Sequence, residues 1–122
     1  RFMRLGVVCD AITDKNNLIW TTTILDSSCL VIGLSLSGQT EEVMEHLDLA
    51  AQKGATTALL TTKTFSTTQT HKIIPVASVR NLNYGNRISP QIPLLIMLDI
   101  IYAYFQAIDR ERKETIFKQT II

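Results

Sequence analysis

The residues best suited to chemistry stand in one short turn, Gly33-Leu34-Ser35-Leu36-Ser37-Gly38-Gln39-Thr40. A hydroxyl-rich turn ahead of a helix can bind an anion. Free backbone N–H groups at the helix start point at the incoming charge, and the helix dipole favours it. Ser35, Ser37 and Thr40 add hydroxyl donors. Gly38 lets the backbone approach without a Cβ in the way, and the N–H groups of residues 37–40, Gln39 included, would complete a cradle for a phosphate. The plainer alternative is that Ser37 or Thr40 is an N-cap, a common use of these residue types. Glu41 and Glu42 suit the helix dipole but would repel an anion placed too close.

Other candidate groups are scattered. Glu41, Glu42 and Glu45 could serve as a general base, but carboxylates in a first helical turn are ordinary dipole partners. His46 falls on the polar side of the same helix and His71 in a polar connection, so both are expected at the surface. No Cys/His pair has metal-ligand spacing, and neither G-x-x-x-x-G-K-[ST] nor G-x-G-x-x-G occurs. The expectation is therefore no catalytic residue, no metal and no cofactor. Thr61, Thr62 and Thr64 follow a strand and could line a pocket at its end, or could be plain turn residues.

The elements that must position the loop can be read around it. Cys29, Leu30, Val31 and Ile32 form a short apolar run, the pattern of a central strand covered on both faces. After the loop, Val43, Met44, Leu47, Ala50 and Ala51 share one helical face, and Gly54 stands where a C-terminal cap would. Upstream, residues 1–4 read as a helix end closed by Gly6, and Val7, Val8, Cys9 and Ala11-Ile12 as a strand. Asp14 caps a helix over residues 15–25, although Thr21, Thr22 and Thr23 are poor helix formers. Asp26-Ser27-Ser28 make a turn.

Downstream, residues 56–61 form a β-branched and apolar strand, and residues 65–71 a polar connection. Residues 73–79 form another strand, with Pro75 placing it at a sheet edge or strand start. Ser89-Pro90 begins a helix running to about Ala107. Ile92, Leu95, Ile96, Asp99, Ile100, Ala103 and Tyr104 cover one side of it; Leu94, Leu98, Ile101 and Phe105 cover another. Such a helix is expected to be buried all round, against the sheet and a second subunit. Residues 109–114 alternate in charge and read as a solvated helix end or tail. Alternating strands and helices imply a parallel sheet flanked by helices, with ligands beyond the carboxyl ends of the strands.

Composition agrees with one domain. The chain has 122 residues and a net charge of +1, enough for a core and too neutral for general nucleic-acid or acidic-lipid affinity. Cys9 and Cys29 lie in apolar runs, so buried reduced thiols are expected, as in a cytoplasmic protein. Nothing resembles a signal peptide. The apolar stretch 94–105 is interrupted by Asp99 and too short to span a bilayer.

The loop S-L-S-G-Q-T after a hydrophobic strand resembles the signature of the SIS (sugar isomerase) domain, S-x-S-G-x-T, matched at Ser35, Ser37, Gly38 and Thr40. The order of elements resembles the sugar-sensing half of RpiR-type transcription regulators. It runs Arg4-Leu5-Gly6, the loop, Gly54-Ala55 before a strand, and Arg87 ahead of a long apolar helix carrying Asp99. Leu36 departs from the family, which often has a polar or aromatic residue there.

The resemblance implies a three-layer, flavodoxin-like α/β fold. It implies a single SIS domain over residues 1–122, truncated at its N-terminus and lacking an earlier helix, strand and serine turn. A phosphorylated sugar would bind Ser35, Ser37, Gly38, Gln39 and Thr40, with Thr62, Asn86 and Arg87 as further contacts. It also implies a homodimer or higher oligomer through the helix from Pro90 to Ala107, DNA contact only through a helix-turn-helix region outside this chain, and no membrane. Three functions follow: a non-catalytic phosphosugar sensor, which the absence of an acid/base pair favours; a truncated sugar-phosphate isomerase or related SIS enzyme; or a dimerisation module without a ligand.

Overall fold

A computed structural model describes residues 1–63, 71–78 and 89–121. The chain is α/β, with a three-stranded parallel sheet and flanking helices, consistent with a flavodoxin-like, SIS-type fold. It divides into two compact units, Ile12–Leu94 and a second made of Arg1–Ala11 with Leu95–Ile122.

The first unit carries the sheet. Helix α1, Lys15–Thr23, starts at Asp14, whose carboxylate accepts from the Asn17 N–H as an N-cap. Its threonines are accommodated because Thr22 and Thr23 donate their hydroxyls back to the Leu18 and Trp20 carbonyls, both at 2.6 Å. Strand β1 is Leu30–Leu34, helix α2 Glu41–Gln52, strand β2 Thr56–Thr61 and strand β3 Lys72–Pro75. The strands lie in the order β1-β2-β3, all parallel, with Gly33 beside Leu59 and Leu60 beside Ile74.

β2 is the central strand and is buried from Thr57 onward. β1, expected to be central and covered on both faces, is an edge strand among the described residues, and Leu30 and Leu34 are exposed. Its apolar run reflects the one face that α2 covers. Gly33 makes that packing possible: a Cβ there would stand 2.7 Å from Leu47 Cδ1 and 2.9 Å from Val43 Cγ1. Leu47, Ala50, Leu59 and Leu60 form the core between α2 and the sheet. Gly54, with φ +90°, closes the turn from α2 to β2. Pro75 ends β3 on the edge, where its missing N–H costs no ladder bond. The strand is shorter than the expected 73–79, since Val76 already leaves it, although its N–H donates to the Thr61 carbonyl at 2.9 Å.

In the second unit a 3-10 helix, Phe2–Leu5, ends at Gly6 in the left-handed region. Helix α3, Ile92–Ala107, and helix α4, Arg110–Gln119, meet at 106° through Asp109, whose φ is +50°. The expected tail is thus a helix of its own. Phe2 packs edge-on to Tyr102 at 5.3 Å, and the Arg4 guanidinium lies 4.0 Å from the centre of the Phe117 ring. Lys113 is buried: its ammonium sits over Phe105 and donates to the Phe105 and Ile108 carbonyls, neutralising the carboxyl end of α3.

Two expectations are corrected. Residues 7–11 form no strand. Val8 is 96% exposed and Cys9 is exposed, because an apolar triplet followed by Asp10 finds no neighbouring strand among the described residues. The cysteines are free but not buried, Cys29 being half-buried. In the single chain one side of α3, at Leu95, Ile96, Ile100 and Tyr104, is exposed, whereas Leu98, Ile101 and Phe105 are half-buried. Hydropathy alone could not separate its two sides. Among the described residues no single helix is long and apolar enough to cross a membrane.

Candidate functional site

The Ser35 loop leaves the carboxyl end of β1 and enters α2, at the sheet edge where parallel α/β proteins bind ligands. It is fastened to β2 and the residue after it at two points: Ser35 N–H donates to the Leu60 carbonyl at 3.1 Å, and the Leu36 carbonyl gathers three donors. The Leu36 carbonyl accepts from the Thr62 N–H at 3.0 Å, the Thr62 hydroxyl at 2.7 Å and the Thr61 hydroxyl at 3.0 Å. Thr62 therefore holds the loop through its side chain. Lys63 N–H donates to Thr61 Oγ1 at 3.1 Å, which extends the same fastening.

Inside the loop, Ser35 is buried and its Oγ lies 2.8 Å from Thr40 Oγ1 and accepts from Thr40 N–H at 3.3 Å. Ser37 Oγ accepts from Gln39 N–H at 3.1 Å, and Gly38 N–H donates to the Ser35 carbonyl at 3.1 Å. Three of the N–H groups expected to face a ligand, those of residues 38–40, are thus taken by the loop's own oxygens. The donors left without an acceptor among the described residues of this segment are the N–H groups of Leu36 and Ser37 and the first three of α2, at Glu41, Glu42 and Val43. Thr40 occupies the N-cap position, but its side chain makes no capping bond. Neither Ser37 nor Thr40 caps the helix, which leaves its first turn open to an outside acceptor.

Gly38 has φ +66°, and a Cβ there would lie 3.1 Å from Thr61 Oγ1 and 3.2 Å from Lys63 Cδ. The position needs glycine both for its backbone and for the side chains crossing it. Ser35, Ser37, Gly38, Gln39, Thr40 and Thr62 are thus brought together, while Asn86 and Arg87 lie outside the described residues, as does Thr64. Lys63, which reading the sequence did not single out, has its stem beside Gly38. Its signal was its place directly after Thr61-Thr62 at the carboxyl end of β2.

The histidines are not surface residues. His46 is buried and its Nδ1 lies 3.0 Å from Thr22 Oγ1. The Thr22 hydroxyl already donates to Leu18 O, so His46 Nδ1 carries the hydrogen and donates. His71 is 4% exposed, with Nδ1 2.6 Å from Thr57 Oγ1 and Nε2 2.7 Å from Asp48 Oδ1. It joins β2, α2 and the start of β3. Both nitrogens of His71 and Nδ1 of His46 have internal partners, and neither ring is hydrogen-bonded to the loop. Among the described residues no group of His, Cys, Asp and Glu side chains could hold a metal ion.

No protein-family profile matches the chain. It is 32% identical over 105 residues to an uncharacterized HTH-type transcriptional regulator of Haemophilus influenzae, covering 84% of this chain and 36% of that protein. It is 24% identical over 125 residues to another protein so named, from Clostridium perfringens, covering 94% of this chain and 44% of the relative. The chain therefore spans less than half the length of either regulator.

Proposed function

We propose that this chain is the effector domain of an RpiR-type transcriptional regulator, that it binds a phosphorylated sugar through the Ser35 loop, and that it leaves the sugar chemically unchanged. The observation that carries the reading is the open first turn of α2, presented by a hydroxyl-rich loop fastened to the end of β2. Unpaired N–H groups with the positive end of a helix dipole are suited to a phosphate. The likeness to proteins named as transcriptional regulators supports a regulatory role rather than turnover. The sugar moiety would meet Gln39, Thr40 and the rim beyond β2, with Asn86 and Arg87 as further contacts. DNA would be reached through a helix-turn-helix region elsewhere in the full-length protein, and α3 would join two copies.

The test is calorimetry of the full-length protein with a panel of pentose and hexose phosphates, followed by product analysis. Saturable binding of one member, with the sugar recovered intact, supports the reading. Turnover abolished by Glu41→Gln or Glu42→Gln would replace it with a sugar-phosphate isomerase.

A further inference from the structure

We infer that Lys63 supplies a positive charge at this site and selects the phosphorylated form of the sugar; the inference rests on the phosphosugar reading above. Helix α2 opens with Glu41 and Glu42, both exposed. Their charges oppose an anion at the N–H groups of the same turn, so dipole and hydroxyls alone leave a dianion poorly compensated. A cation on the other side of the loop would offset them, and the Lys63 stem runs there. Its Cβ and Cδ lie 3.3 and 3.2 Å from where a Gly38 Cβ would stand, so the aliphatic stem runs along the loop's backbone. The ammonium is one methylene further on.

Two features fix that path. Lys63 N–H is tied to Thr61 Oγ1, and the Thr61 and Thr62 hydroxyls hold the segment to Leu36. Gly38, bare of a side chain, leaves the lane the stem occupies. Lys53 closes α2 and Lys72 opens β3, both away from the carboxyl ends of the strands. Lys63 combines nearness to the loop with a strongly hydrated point charge, the kind of cation suited to a phosphate rather than to a neutral hydroxyl.

The experiment uses the full-length protein, the tightest-binding member of the sugar-phosphate panel, and the same sugar without its phosphate. Lys63→Met keeps the stem and removes the charge. It is expected to weaken the phosphosugar by roughly tenfold or more, to leave affinity for the unphosphorylated sugar unchanged, and to flatten the salt dependence of binding. Lys63→Arg is expected to retain most of the affinity. Thermal melts of both variants check that the fold is kept. If Lys63→Met binds the phosphosugar as tightly as the parent while Ser35→Ala does not, the Lys63 role is overturned and the loop reading stands. If the parent binds no member of the panel, the loop reading fails and the Lys63 role with it.

Discussion

The Thr62 hydroxyl donates to the Leu36 carbonyl at 2.7 Å, alongside two further donors from β2 and the residue after it. The loop after β1 and the end of β2 are thereby one mechanical piece. Thr62→Val is expected to lower stability by ~1 kcal/mol and to weaken sugar-phosphate binding by loosening the loop. Thr62→Ser, which keeps the hydroxyl, should restore both. Equal affinities for all three proteins would show that the fastening does not position the loop.

Gly38 is expected to tolerate no side chain. Gly38→Ala forces a Cβ into the left-handed region and against Thr61 Oγ1 and the Lys63 stem, at a cost of roughly 1–2 kcal/mol. Chemical denaturation measures that loss, and ligand affinity should fall further than stability does.

Ser37→Ala separates the loop's two uses. Ser37 Oγ accepts from Gln39 N–H and does not cap α2. Stability should change little, while affinity for a phosphosugar falls about tenfold if the hydroxyl turns to the phosphate on binding. A drop of ~1 kcal/mol in stability with unchanged affinity would return Ser37 to the role of an N-cap.

Much of this frame was legible in the sequence, for identifiable reasons. β2 has the expected limits because Thr56-Thr57-Ala58-Leu59-Leu60-Thr61 is β-branched, apolar and bounded by turns. α1 begins at Asp14 and α2 follows the Ser35 loop because caps and periodicity are local signals. What stayed hidden depends on contacts distant in sequence. His46 is buried by Thr22 of α1, and His71 by Thr57 and Asp48, none of which alters the local pattern. The loop's inward N–H bonds and the Lys63 stem across Gly38 likewise exist only once β1 and β2 stand side by side.

His71 gives a test of the fold itself. His71→Ala leaves the buried Thr57 hydroxyl without its partner and opens a gap beside β2, so a loss of about 2–4 kcal/mol is expected. His71→Asn can still meet one partner and should lose less. A loss below 1 kcal/mol for His71→Ala would contradict the clamp between α2, β2 and β3.

Asp26 carries an acid-range dependence of known sign. The Ser28 hydroxyl donates to its carboxylate at 2.5 Å and the Ser28 N–H at 2.8 Å, which hold its pKa below the ordinary 3.8. A carboxyl with a lowered folded-state pKa contributes stability that is present above its unfolded value and lost as pH falls through the folded one. The stability difference between parent and Asp26→Asn should therefore be constant at neutral pH and narrow below 3.8. A difference that widens in acid would contradict the hydrogen-bonding assignment.

The exposed side of α3, at Leu95, Ile96, Ile100 and Tyr104, is expected to join two copies. Leu95→Lys with Ile100→Lys in the full-length protein should halve the mass measured by light scattering. An unchanged mass would place the interface elsewhere.

The central claim, that a phosphate sits at the start of α2, is tested most directly by amide NMR of the full-length protein during titration with the tightest-binding sugar phosphate. The N–H signals of Ser37, Glu41, Glu42 and Val43, open in the free chain, should move downfield and saturate together, and the unphosphorylated sugar should leave them in place. Saturable binding that leaves those four signals unmoved would contradict the account.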